Sequence, residues 1–196
     1  MCSAPLIRLL PQVARGLALA LAVCLGSSVA CAPPPAESSS DVEDLPEFTA
    51  AQAALFDDAI ALGAFGRELE EVAPSADPKL GDRTAQADVV VPVKVSTVTR
   101  DRGGNAESYE IVVVPAGRPL AGSAEPGPVE LDITEQSPSF PFVRSTDAGL
   151  VGQRLILFLK RYNDRGAAVF HWRLEPDSDE VRKAIADASA LEEISP

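Results

Sequence analysis

The sequence predicts a β-rich α+β fold: a small five-stranded antiparallel barrel or sandwich with flanking N- and C-terminal helices, with an open α+β sheet as the remaining alternative. Three observations carry that expectation. Apolar residues form five strand-length runs between positions 88 and 174, most of them alternating with period two. Helical spacing is confined to the two ends of this region. Val, Ala, Pro and Gly are abundant while aromatic residues make up 5% of the chain, a composition that suits strands better than a helical bundle.

Element by element, "FTAAQAALFDDAIALGAF" opens with Thr49 and Gln52 at capping-box spacing. Leu55, Leu62 and Phe65 fall roughly on one face, so a helix is predicted over 50–62, with a second turn near 66–72. "PSADPKLGDR", with two prolines and a glycine, reads as a loop. In "DVVVPVKVSTVT" every odd position from 89 to 95 is valine. Pro92 cannot donate to a ladder, which places this strand at an edge or a bulge. "SYEIVVV" (108–114) is the second strand, and "VELDIT" (129–134) the third, with Val129, Leu131 and Ile133 inward.

After an irregular stretch, "RLILFLKRY" (154–162) is apolar on both faces and belongs in the sheet interior. "NDRG" (163–166) suits a hairpin turn into "AAVFHWRL" (167–174). There Phe170, Trp172 and Leu174 share one face, and Val169, His171 and Arg173 the other. "DSDEVRKAIADASALEEI" reads as a helix capped by Asp177 and Glu180, with a Val181, Ile185, Ala188 and Leu191 stripe. The order of these elements resembles an OB-like barrel, including the netrin-like type of secreted inhibitor modules. The resemblance rests on element order alone; the netrin-like disulfides are missing, and no clear helix is legible between the third and fourth strands.

The leader is more specific. Residues 1–16 carry Arg8 and Arg15 and no acid, the apolar run "LALALAVCL" follows, and small residues precede Cys31. These are the three regions of a secretory signal, and nine apolar residues are too few for a stable membrane span. Ser28-Val29-Ala30-Cys31 resembles the lipobox of a bacterial lipoprotein precursor, with Ser28 in place of the usual aliphatic residue. The resemblance implies lipidation at Cys31 and a location in the cell envelope, lipid-anchored to a membrane and periplasmic or surface-facing. Ordinary cleavage, giving a secreted protein, is the alternative. "APPPAESSSDVEDLP" is too poor in apolar residues to fold and reads as a tether. The predicted organisation is a signal peptide over 1–30, lipidated cysteine and tether over 31–46, and one β-rich domain over 47–196.

All three cysteines (Cys2, Cys24, Cys31) lie in this leader region, so the domain holds no internal disulfide. The net charge is −12. Removing Arg8 and Arg15 with the signal leaves 15 basic against 29 acidic side chains, about −14. Such a surface repels phosphate backbones and argues against nucleic-acid binding.

Catalytic signals are sparse. His171 is the single histidine and the one candidate general base, but no G-x-S-x-G elbow accompanies it. The bland reading is a rim histidine on a strand. Zinc needs clustered Cys and His, and the acids at 57–58 and 175–180 lack the spacing and glycine of a calcium loop; no metal or other cofactor is expected. "SPSFPFVRS" holds Phe140, Phe142 and Arg144 outside any predicted strand, either as an exposed interaction loop or as a cover over the core. The favoured function is a non-catalytic binding or assembly module, its partner an unknown envelope protein or a small ligand. A secreted hydrolase using His171 is the alternative.

Overall fold

The computed structural model describes residues 42, 44–61, 73–103, 106–122 and 127–194. In chain order the elements are α1 (Ala50–Ala53), β1 (Ala59–Ile60), a 3-10 turn (Pro74–Ala76), α2 (Pro78–Gln86), β2 (Val89–Asp101), β3 (Ser108–Pro115) and β4 (Ala121–Gly122). They continue with β5 (Val129–Thr134), α3 (Phe140–Leu150), β6 (Arg154–Asp164), β7 (Ala167–Pro176) and α4 (Asp179–Ile194). The fold is a β-rich α+β architecture, as the sequence predicts. The five-stranded barrel is corrected to a seven-stranded sheet, ordered β1-β7-β6-β2-β3-β5, with β4 paired to β2 and no pairing between the end strands. β1 runs parallel to β7; the other pairs are antiparallel.

β6 lies between β7 and β2, and its alternation feeds two cores. Leu155, Leu157 and Leu159 join the odd valines of β2, Ile111, Leu131, Ile133, Trp172 and α3 on one face. Ile156, Phe158 and Tyr162 join Val90, Phe56, Leu80 of α2 and Val181 and Ile185 of α4 on the other. Each fully buried Leu, Ile or Phe contributes roughly 1.5–3 kcal/mol of transfer free energy, so a strand apolar on both sides ties the two layers together.

Pro92 is internal rather than at an edge. Its carbonyl accepts the Ala116 N–H at 2.8 Å, on the side away from β6. The missing donor therefore faces the gap between the β3 and β4 pairings, where the ladder does not need it. A bulge between Val95 and Thr97 reverses the alternation, so Val98 rather than an odd residue packs on the core. The hairpin is as expected: Asp164 pairs with Ala167, and Arg165 and Gly166 have φ of 55° and 87°, the positive pair of a type I′ turn.

Four local expectations are corrected. The helix over 50–62 stops at Ala53, because Leu55 and Phe56 turn into the core and the next residues pair with β7. The Asp58 N–H donates to the Trp172 carbonyl at 3.0 Å, and Ala61 N–H to Leu174 at 2.8 Å. The predicted turn over 66–72 lies outside the described residues. "PSADPKLGDR" is largely helical: the Asp77 carboxylate caps α2 by accepting the Lys79 N–H at 2.9 Å, and Pro78 occupies the first turn, where no donor is required. The irregular stretch after β5 contains α3, again with a proline in its first turn, so a helix does stand between β5 and β6. At α4 the cap is Ser178, whose Oγ accepts the Val181 N–H at 3.2 Å; Asp177 instead pairs with Arg182 and Arg154.

Candidate functional site

Alternation along β7 sets His171, Arg173 and Glu175 in a row on the face covered by α2 and α4. The chain leaving α1 passes this row, and its turn residues Asp57 and Asp58 meet it. Asp58, at φ 50°, is in the left-handed region that aspartate tolerates better than most residues. Its Oδ2 lies 2.7 Å from His171 Nδ1, and its Oδ1 accepts the Trp172 N–H at 2.9 Å. Burial pushes the Asp58 carboxyl above its ordinary range, opposed by the hydrogen bonds from Trp172 and His171. Asp57 takes both oxygens to Arg173 Nη1, at 3.1 and 2.9 Å.

Arg83 enters the row from α2. Its Nε donates to the Leu55 carbonyl at 2.7 Å and its Nη1 to Glu175 Oε1 at 2.8 Å. The same oxygen accepts Arg173 Nε at 3.1 Å. One glutamate thus bridges two guanidinium groups, and the Arg83 guanidinium lies 5.5 Å from the Phe158 ring centroid. Burial pulls Arg83 below the ordinary arginine value. For Arg173 burial acts in the same direction, but Glu175 and Asp57 outweigh it and hold the group up. Beside this network a cleft of about 370 Å³ opens, with Asp57, Lys79, Arg83, Arg173 and Glu175 on its polar side. Ala54, Pro74, Leu80, Pro176 and Val181 form its apolar side.

His171 is not the rim residue of the bland reading. Its side chain is 13% exposed. Phe48 stacks on it, with ring centroids 3.5 Å apart and planes at 4°, and Tyr162 lies 5.9 Å away. Phe48 belongs to a strap along the free end of β6. Asn163 N–H donates to the Pro46 carbonyl at 2.9 Å, and Phe48 N–H to the Asn163 carbonyl at 3.3 Å. Beneath the strap, His171 Nε2 and Tyr162 Oη are buried without hydrogen-bond partners among the described residues.

Phe140 and Phe142 do not form an exposed loop. They are buried in α3 against the first core, Phe140 edge-on to Tyr109 with centroids 5.8 Å apart. Their burial removes the two rings from any exposed surface. Arg144 remains on the exposed side of α3, 3.7 Å from a Glu107 oxygen. Cys31 lies outside the described residues. Among the described residues, no three His, Cys, Asp or Glu side chains gather as a metal site, and no helix is long and apolar enough to cross a membrane. Comparison with protein-family models, with curated proteins and with solved structures returned no match.

Proposed function

We propose that this chain is a lipid-anchored cell-envelope protein, held to its membrane through Cys31, that binds a small ligand or an envelope protein without catalysing a reaction. The observation that carries this reading is the state of the lone histidine. Nδ1 is committed to Asp58, and Nε2 is buried under Phe48 with no hydrogen-bond partner among the described residues. A general base must reach the proton it removes; this imidazole instead fastens the strap and the β1 turn to β7. The open chemistry nearby is the cleft with its wall of arginines and carboxylates, which suits recognition. The leader resemblance to lipoprotein precursors supports the anchor.

The test has two parts. The N-terminal peptide of the protein from the membrane fraction should carry an acylated Cys31 by intact mass, with an unmodified chain overturning the anchor. In situ crosslinking should recover a partner or ligand, and the His171→Ala variant should match the wild type on a panel of ester, peptide and glycan substrates. A hydrolytic activity that disappears in His171→Ala would establish the alternative, a secreted hydrolase using His171.

A further inference from the structure

We propose that the cleft between α2 and β7 binds a small organic monocarboxylate, its carboxylate on Arg83 and Arg173 and its body against Leu80 and Val181. The inference rests on the binding reading above and names the ligand class for it.

The first argument is donor accounting. The Arg83 side chain is 5% exposed yet lines the cleft. Its Nε and one Nη are bonded, and its second Nη has no hydrogen-bond partner among the described residues. Arg173 repeats the pattern, with Nε on Glu175 and Nη1 on Asp57 and its other Nη unbonded among the described residues. Lys79, exposed at the mouth, forms no ion pair among the described residues. Both Asp57 oxygens face Arg173, Glu175 Oε1 bridges the two arginines, and Asp77 caps α2. Lys79 and the second Nη groups of the two arginines offer a guest charged N–H donors, and guanidinium edges match a carboxylate in shape as well as charge.

The second argument is charge. Lys79, Arg83 and Arg173 are matched in number by Asp57, Asp77 and Glu175, so the lining carries no net charge, and Asp77 is turned to the helix N-terminus where the peptide dipoles stabilise it. A monoanion can settle on the two guanidinium edges; a dianion would meet twice the repulsion from the three carboxylates. The third argument is shape. A volume of about 370 Å³ lies at the small end of ordinary ligand sites, and the apolar wall gives a compact hydrocarbon or aromatic body a surface to cover.

The experiment uses benzoate as probe, benzamide as its neutral isostere and inorganic phosphate as the dianion-forming control, with the full chain followed by amide NMR at low salt. Benzoate should bind saturably in the millimolar range and shift the amides of Leu80, Arg83, Arg173 and Val181. Benzamide should give no saturation, and phosphate should bind more weakly than benzoate. Lys79→Glu, which alters an exposed side chain and leaves both cores intact, should weaken benzoate about tenfold or more. Non-saturating benzoate, shifts confined to another surface, equal binding of benzamide, or phosphate binding as tightly as benzoate would each overturn the proposal. Failure here with crosslinked partner still recovered would leave the binding module standing and make the arginine network a fastener. Benzoate binding without acylated Cys31 would separate the two readings in the opposite sense.

Discussion

Asp58 Oδ2 sits 2.7 Å from His171 Nδ1 while Asp58 Oδ1 accepts the Trp172 N–H at 2.9 Å. One carboxylate thereby holds an imidazole and the neighbouring β7 backbone from a turn residue at φ 50°. Asp58→Ala loses both bonds and places a Cβ residue without local compensation in the left-handed region, and should cost ~2–4 kcal/mol. Asp58→Asn keeps the backbone tolerance and an acceptor for Trp172, and should cost less than half as much. Urea unfolding of both variants checks the ordering; equal losses would show that the charge alone matters.

Phe48→Ala should open the strap locally. Phe48 covers His171 and touches Tyr162 at 5.2 Å between ring centroids, so its loss removes the apolar contact that holds residues 46–48 on Asn163. Amide hydrogen exchange should accelerate at Phe48 and Asn163, whose N–H groups make the strap bonds, and stay unchanged at Leu157 in the centre of β6. Uniform acceleration across β6 would mean the strap is part of the global core.

Most of the sheet was readable because its signals are local. The odd valines of β2, the two-faced run of β6 and the Arg165-Gly166 turn each act within a few residues. α1 and α3 were misread because distant partners decide them. Leu55 and Phe56 satisfy a helical stripe equally well, and only pairing of Ala59 and Ile60 with Arg173 and Leu174 makes the chain leave the helix. In "SPSFPFVRS" two prolines suggested irregularity, yet Pro141 falls in the first turn of α3, where it is tolerated. At the site, the alternation of His171 and Arg173 was visible, while Glu175 fell beyond the predicted strand, which continues to Pro176. Their partners Asp57, Asp58 and Arg83 come from a turn and a helix that the pattern did not reveal, so the network had no sequence signature.

Tyr162→Phe should stabilise the protein. The Tyr162 hydroxyl is buried and unpartnered, and removing an unsatisfied hydroxyl of this kind returns roughly 1–3 kcal/mol. The same burial raises its pKa to about 12. The folded state then keeps a proton that the unfolded tyrosine releases near pH 10. Wild-type stability from this group is full below that range and falls as pH rises toward 12, a slope the Phe variant lacks while Tyr109, also raised by burial, keeps its own. Thermal melts at neutral and alkaline pH check both claims; a destabilised Phe variant would reveal a partner for the hydroxyl.

Asp177 gives the opposite pH dependence. Its Oδ1 lies 2.5 Å from Arg182 Nε and its Oδ2 3.3 Å from Arg154 Nε, joining the end of β7 to α4 and to the start of β6. The Arg182 hydrogen bond, aided by Arg154 and opposed by burial, holds the carboxyl below the ordinary aspartate range. A depressed folded pKa means that the stabilisation is complete above the unfolded value of about 3.9 and is lost as pH falls through the folded one. Asp177→Asn should therefore cost ~1–3 kcal/mol at neutral pH through the lost charge-assisted bonds. The gap between variant and wild type should then narrow below about pH 4. Urea midpoints measured from neutrality into that acid range decide it. A gap that stays constant with pH would show that Asp177 acts through packing rather than through its charge.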